Sequence, residues 1–215
     1  MTILYDDIKE PIKVKGILGS IRNNSFTKKA LEIALLGAQE FGANIELIEL
    51  SQYNLPFCDG GDNKDNYHSD VLKLRNTVKE AHGIILATPE YHGSFSGVLK
   101  NALDLMGFNE FEGKMVGLLG VAGGVTGAIN SLNMLGTVTR QLRTWVVPHH
   151  VSISQSRKAF SNEGKFFDDN LLNRTLELGR QVAKFSYLHN SNRIKDFVEE
   201  WEKSVVNPGE EIQSY

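Results

Sequence analysis

Residues 83–104 begin Gly83-Ile84-Ile85-Leu86-Ala87-Thr88, continue Pro89-Glu90-Tyr91-His92-Gly93-Ser94-Phe95-Ser96-Gly97, and end Val98-Leu99-Lys100-Asn101-Ala102-Leu103-Asp104. The first six form an apolar run without polar alternation, as a strand does when helices cover both its faces. The middle segment is rich in turn residues, and a helix is expected over 96–106. The same unit recurs on either side.

Upstream, 12–18 reads as a strand and 26–41 as a helix with apolar residues at helical spacing, ended by Gly42. A second strand is expected over 45–50, a long loop over 51–68, and a helix over 69–82 capped by Ser69. Downstream, 115–121 is a buried strand, 128–143 a helix, 145–153 a fifth strand region and 171–189 a long helix. Five strand-and-helix alternations imply an α/β fold: a doubly wound, five-stranded parallel sheet with helices on both faces. We expect one domain over 1–190 and a C-terminal extension over 191–215, a short helix with a frayed end. Such sheets bind ligands beyond the carboxyl ends of their strands, at the switch in strand order, so the loops after strands one, three and four are the places to look.

Composition narrows the partners. The chain has 215 residues, 41% hydrophobic and 23% charged, with a formal net charge of −3. That balance gives no electrostatic reason to expect nucleic acid or an anionic membrane. No apolar run approaches the roughly 20 residues of a membrane span, and the first fifteen residues do not resemble a signal peptide. Cys58 is the one cysteine and has no internal disulfide partner, which fits a reducing compartment. A cytoplasmic protein is expected.

After strand one the chain reads Gly19-Ser20-Ile21-Arg22-Asn23-Asn24-Ser25-Phe26-Thr27. Hydroxyls from Ser20, Ser25 and Thr27, a permanent charge on Arg22 and the following helix N-terminus suit an anion. The alternative is that Ser25 only caps the helix and Arg22 only meets solvent. The Gly-x-Gly-x-x-Gly pattern and the P-loop lysine are both absent, so a mononucleotide with one phosphate fits better than a dinucleotide or a hydrolysed triphosphate. After strand three, Pro89 stiffens the exit and Gly93 lets backbone approach a flat ligand, while Tyr91 and His92 offer a surface along a ring edge. The alternative there is a plain connection with Ser94 or Ser96 as helix cap and His92 as a surface histidine.

Together, Gly19-Ser20-x-Arg22-x-x-Ser25 and Pro89-Glu90-Tyr91-His92-x-Ser94-x-x-Gly97-x-Leu99-Lys100-Asn101-Ala102-x-Asp104 closely resemble the NADPH-dependent FMN reductase family. The second motif spans sixteen positions, and both stand at the right strands in the right order. The resemblance implies a flavodoxin-like fold, FMN as cofactor and NADPH or NADH as co-substrate. It also implies a small-molecule acceptor such as a quinone, azo compound, metal oxyanion or free flavin. By the same resemblance Ser20, Arg22, Ser25, Phe26 and Thr27 hold the flavin phosphate. Pro89, Glu90, Tyr91, His92, Gly93 and Ser94 border the ring, and Gly123 and Gly124 face its other edge. Many relatives have Asn where this chain has His92.

No side chain need act as acid or base, because the cofactor carries the chemistry. The rival readings are a flavodoxin-type electron carrier and an FMN-binding subunit without turnover. Cys58 reads as a bystander, and His149-His150 lacks a third metal ligand at a recognisable spacing. Trp145, Phe160, Phe166 and Phe167 suit either a substrate pocket or a subunit contact. A homodimer or tetramer is expected from the resemblance and from apolar residues in the second loop (Tyr53, Leu55, Phe57, Tyr67) and after the third helix (Phe108, Phe111).

Overall fold

A strand whose alternate residues enter two cores organises the molecule. The structure, a computed structural model, describes residues 11–60, 68–161 and 163–191. The elements run β1 (Lys13–Leu18), α1 (Phe26–Glu40), β2 (Asn44–Glu49), α2 (Ser69–Lys79), β3 (Gly83–Tyr91), β4 (Ser94–Phe95) and α3 (Gly97–Asp104). They continue α4 (Phe108–Phe111), β5 (Met115–Val121), α5 (Ile129–Gln141), β6 (Trp145–Val146), β7 (Val151–Ile153), α6 (Ser156–Ala159) and α7 (Asp169–Asn190). In β3, Ile85 and Ala87 join Leu31, Ala34, Leu178 and Val182 under α1 and α7. Ile84 and Leu86 join Leu74, Val78, Leu99, Leu103, Phe111 and Leu132 under α2 to α5. Burial on both faces explains the unbroken apolar run.

The main path of the sheet is β2-β1-β3-β5-β6, with β7 also pairing β5. All these pairings are parallel. This is the flavodoxin-like order, which reverses between β1 and β3. The fifth lane comes in two pieces, Met115 opposite Trp145 and Leu119 opposite Val151. Between them stands Val147-Pro148-His149-His150, and Pro148 has no N–H to give a ladder. On one face α1 and α7 lie so close that a Cβ on Gly37 would strike the backbone of Leu176 and one on Gly179 that of Ala34.

Several expectations need correction. The strand expected to end at Thr88 continues to Tyr91, because Glu90 and Tyr91 pair antiparallel with Phe95 and Ser94. His68, not Ser69, caps α2: its Nδ1 accepts from the Asp70 amide at 3.2 Å. The helix expected over 96–106 stops at Asp104, and Phe108 begins a separate turn. Phe111 is wholly buried and so no interface anchor, while the Arg143 guanidinium stands 4.3 Å from the Phe108 ring centroid. Tyr53 and Leu55 pack against their own core, leaving Phe57 projecting at 92% exposure. Tyr67 and nearly all of the extension over 191–215 lie outside the described residues.

Candidate active site

The loops after β1 and β3 meet at the switch point and are tied together there. Ser96 caps α3 by accepting from the Leu99 amide at 3.1 Å, and its hydroxyl donates to the carbonyl of Gly19. The Gly19 amide donates to the Ala87 carbonyl at 2.8 Å. A side chain on Gly19 would meet that carbonyl and Leu99, so the loop crosses where only glycine fits.

From Gly19 the chain turns over the start of α1. Ser25 caps the helix by accepting from the Lys28 amide at 3.3 Å, and its hydroxyl donates to Ser20 Oγ at 2.9 Å. Ser20 and Ser25 are 6% and 5% exposed, so this pair is a fixed part of the wall. Asn24, at φ 54, takes the left-handed conformation that asparagine tolerates. Lys28 is bound to Glu49 at 2.8 Å, which raises its pKa above the usual lysine value. Capping and cradle are compatible here: the Ser25 hydroxyl oxygen accepts from the helix amide while Ser25 also lines the cleft.

The loop after β3 is a tight hairpin. His92 and Gly93 have φ of 52° and 77°, the two consecutive positive values that a two-residue type I′ turn requires. Glu90 Oε2 accepts from the Ser131 amide at 3.0 Å in the first turn of α5, where the helix dipole favours a carboxylate. Asn101 clasps the second loop, donating to Pro56 O at 2.9 Å and accepting from the Cys58 amide at 3.0 Å. Lys100 and Asp104 form the expected i,i+4 pair at 2.7 Å. His149 is engaged with the Arg174 carbonyl at 2.8 Å.

These loops enclose a cleft of about 320 Å³. Ser20, Arg22, Ser25, Phe26 and Thr27 form one part of its lining, and Pro89, Glu90 and Tyr91 another. Gly123 also lines it. Four expected residues are not in the lining. His92 and Gly93 form the hairpin turn, Ser94 pairs with Tyr91 in β4, and the Gly124 carbonyl is turned to the Gln155 amide at 2.9 Å. Sequence reasoning missed Val121, Ser156 and Arg157, which complete the wall. The rule that directs attention to carboxyl ends applies equally to the fifth strand, and Ser154-Gln155-Ser156-Arg157 carries hydroxyls and a cation.

The donor set describes its ligand. Among the described residues neither Arg22 nor Arg157 has an acidic partner, and both line a cavity that also holds the hydroxyls of Ser20, Ser25, Thr27 and Ser156. Phe26, Pro89, Tyr91 and Val121 give it apolar and aromatic surface, and its one carboxylate, Glu90, is held by the Ser131 amide. An anionic group on a flat, largely apolar body fits these walls, and FMN is such a molecule.

Comparison with known proteins agrees. The profile of the NADPH-dependent FMN reductase family matches residues 12–158. An NADPH azoreductase of Bacillus sp. (strain OY1-2) is 46% identical over 90 residues, 42% of this chain and half of that protein's length. An NAD(P)H-dependent FMN reductase of Pseudomonas aeruginosa is 32% identical over 170 residues, 75% of this chain and 88% of that one. Among solved structures, the flavoenzyme NAD(P)H:(acceptor) oxidoreductase of Paracoccus denitrificans superposes with a TM-score of 0.68. It covers 83% of this chain and 98% of its own at 22% identity, a likeness of fold. With the order of the sheet, the cleft at its switch point and a family match over most of the chain, this protein belongs to the NADPH-dependent FMN reductase family, oxidoreductases that use FMN and NAD(P)H.

Proposed function

We propose that the cleft holds FMN and that the protein reduces small, electron-poor acceptors: quinones, azo compounds, metal oxyanions or free flavin. The observation that carries this reading is a single cleft wall combining buried hydroxyls, aromatic surface and two guanidinium groups that have no acidic partner among the described residues. Ser20, Arg22, Ser25 and Thr27 would hold the phosphate, with Phe26 alongside. Pro89, Glu90, Tyr91 and Gly123 would border the ring, and His92, Gly93, Ser94 and Gly124 would shape its rim. When bound, FMN accepts a hydride from NAD(P)H and passes electrons to the acceptor.

The chain's own contribution is position and access. The bond from Ser96 to Gly19 holds the two loops in register, and the hold of Ser131 on Glu90 fixes the hairpin against α5. Tyr91 at 52% exposure leaves the mouth open to reactants entering in turn. No protein side chain is assigned a proton transfer. The proposal includes a homodimer or tetramer, supported by the exposure of Phe57, and light scattering reads the mass directly.

Release of the bound cofactor by heat, identified against flavin standards, followed by absorbance before and after NADPH, tests the function. FMN bleached by NADPH and reoxidised by a quinone or azo dye is expected. Recovery of FAD, or no flavin binding at micromolar concentration, would falsify the reading. Bound FMN that NADPH leaves oxidised would make the protein a carrier or a binding subunit.

A further inference from the structure

We infer that Arg157 is a second phosphate ligand of the cofactor, and that it makes the cleft select a phosphorylated flavin over the unphosphorylated one. The inference rests on the cleft being a flavin site. Three observations carry it.

The first is placement. After β7 the chain turns through Gln155 at φ 43, and the Gln155 and Ser156 amides donate to the carbonyls of Gly124 and Ala122. Ser156 and Arg157 are thereby fixed into the cleft wall. One turn later the Phe160 ring stacks on Phe26, centroids 5.3 Å apart and 16° from parallel, and on Phe166 at 4.3 Å. Phe26 stands between Ser25 and Thr27, the hydroxyl residues of the cradle. A side chain on Gly164 would strike Lys29 of α1, so the segment around the Phe160–Phe166 bridge lies on the first turns of that helix. Arg157 therefore enters at the anion end of the cleft, on a segment laid over the start of α1.

The second is charge. A phosphate monoester carries about −1.5 to −2 at neutral pH. Lys28, in the first turn of α1, is engaged by Glu49, which leaves Arg22 as the cation of the first loop. One guanidinium leaves the phosphate about half compensated, and Arg157 supplies the second positive charge. The third is freedom: no carboxylate among the described residues pairs with Arg157. An arginine in a cavity wall without such a partner is available to a ligand anion, and its fork suits phosphate oxygens.

The test is a pair of titrations of the flavin-free full chain, with FMN and with riboflavin, which lacks the phosphate. Arg157→Gln should raise the FMN dissociation constant about tenfold and leave riboflavin unchanged. It should also flatten the salt dependence of FMN binding, and Arg157→Lys should recover part of the loss. An equal loss for both flavins would reduce Arg157 to scaffolding and overturn the assignment, as would unchanged FMN affinity. A rise confined to the KM for NADPH over NADH would move Arg157 to the dinucleotide and overturn it too. A wild-type protein that binds neither flavin sinks the reading of the cleft itself and the assignment with it. Preserved wild-type binding with an indifferent variant sinks the assignment alone.

Discussion

The two edges of the sheet use their cations in opposite ways. At the amino edge Arg75 meets Glu110 at 3.0 Å and Arg143 meets Glu112 at 2.9 Å. Buried Lys15 reaches Glu46 at 2.8 Å and Glu80 at 3.5 Å. Lys114 donates to the carbonyls of Val78 and Lys79, at 2.6 and 2.7 Å, where α2 ends. At the carboxyl edge Lys28 is paired with Glu49, while Arg22 and Arg157 line the cleft without an acidic partner among the described residues. A net charge of −3 hides this difference. What marks the site is that two guanidinium groups without an acidic partner among the described residues line one cavity, where an arginine can meet a ligand anion.

The sharpest way to break this contrast is at the amino edge. Glu110 is 4% exposed, holds Arg75, and accepts from the Gly107 amide at 2.7 Å. Glu110→Ala removes the buried carboxylate shared by the Arg75 guanidinium and the Gly107 amide, and should cost about 1.5–3 kcal/mol of stability in chemical denaturation. Flavin affinity of the folded fraction should stay near wild type. A loss below about 1 kcal/mol would mean that the pair is solvated and the amino edge no more structural than the other.

At the carboxyl edge the expected effects exchange places. Arg22→Ala should weaken FMN binding about ten- to a hundredfold, since a charge-assisted hydrogen bond to phosphate is lost. The melting temperature of the flavin-free protein should barely move, because nothing in the fold leans on an exposed loop arginine. If instead the flavin-free protein melts earlier and affinity holds, Arg22 belongs with the structural cations and the contrast collapses.

Legibility in the sequence followed the same division. The apolar runs of β3 and β5 and the periodic helices could be read because burial on a flat sheet leaves a strong composition signal. The first loop could be read because hydroxyls, arginine and a helix start are contiguous. The hairpin could not: Pro89-Glu90-Tyr91 has no apolar alternation, and its pairing with Ser94 and Phe95 depends on left-handed His92 as much as on Gly93. The cap on α2 was not legible because it is a histidine ring nitrogen and not a hydroxyl. Arg157 was hidden for a further reason. Its place depends on a left-handed Gln155 and on a contact between Phe160 and Phe26 that are 134 residues apart in the chain, and no local pattern encodes either.

The smallest expected effect sharpens the comparison by pH. Burial pushes the Lys114 ammonium from 10.5 down to about 8, against the pull of Glu110. The folded-state pKa is therefore the lower one, so between about pH 8 and 10.5 the unfolded chain holds a proton that the folded chain has released. Stability from this group must then rise with pH across that window, since stability rises wherever the unfolded state binds more protons. Below pH 8 both states are protonated and the cost of burying the charge is constant. The amine is partly open to water, so the gain should stay under about 1 kcal/mol. Urea unfolding of the wild type and of Lys114→Met at pH 7.5 and pH 10 isolates it: the wild type should gain on the variant as pH rises. A difference that stays flat would show Lys114 to be solvated. A difference that falls would mean that the carbonyls of Val78 and Lys79 hold the ammonium more strongly than burial disfavours it, making Lys114 a helix-end cation that stabilises the amino edge by its charge.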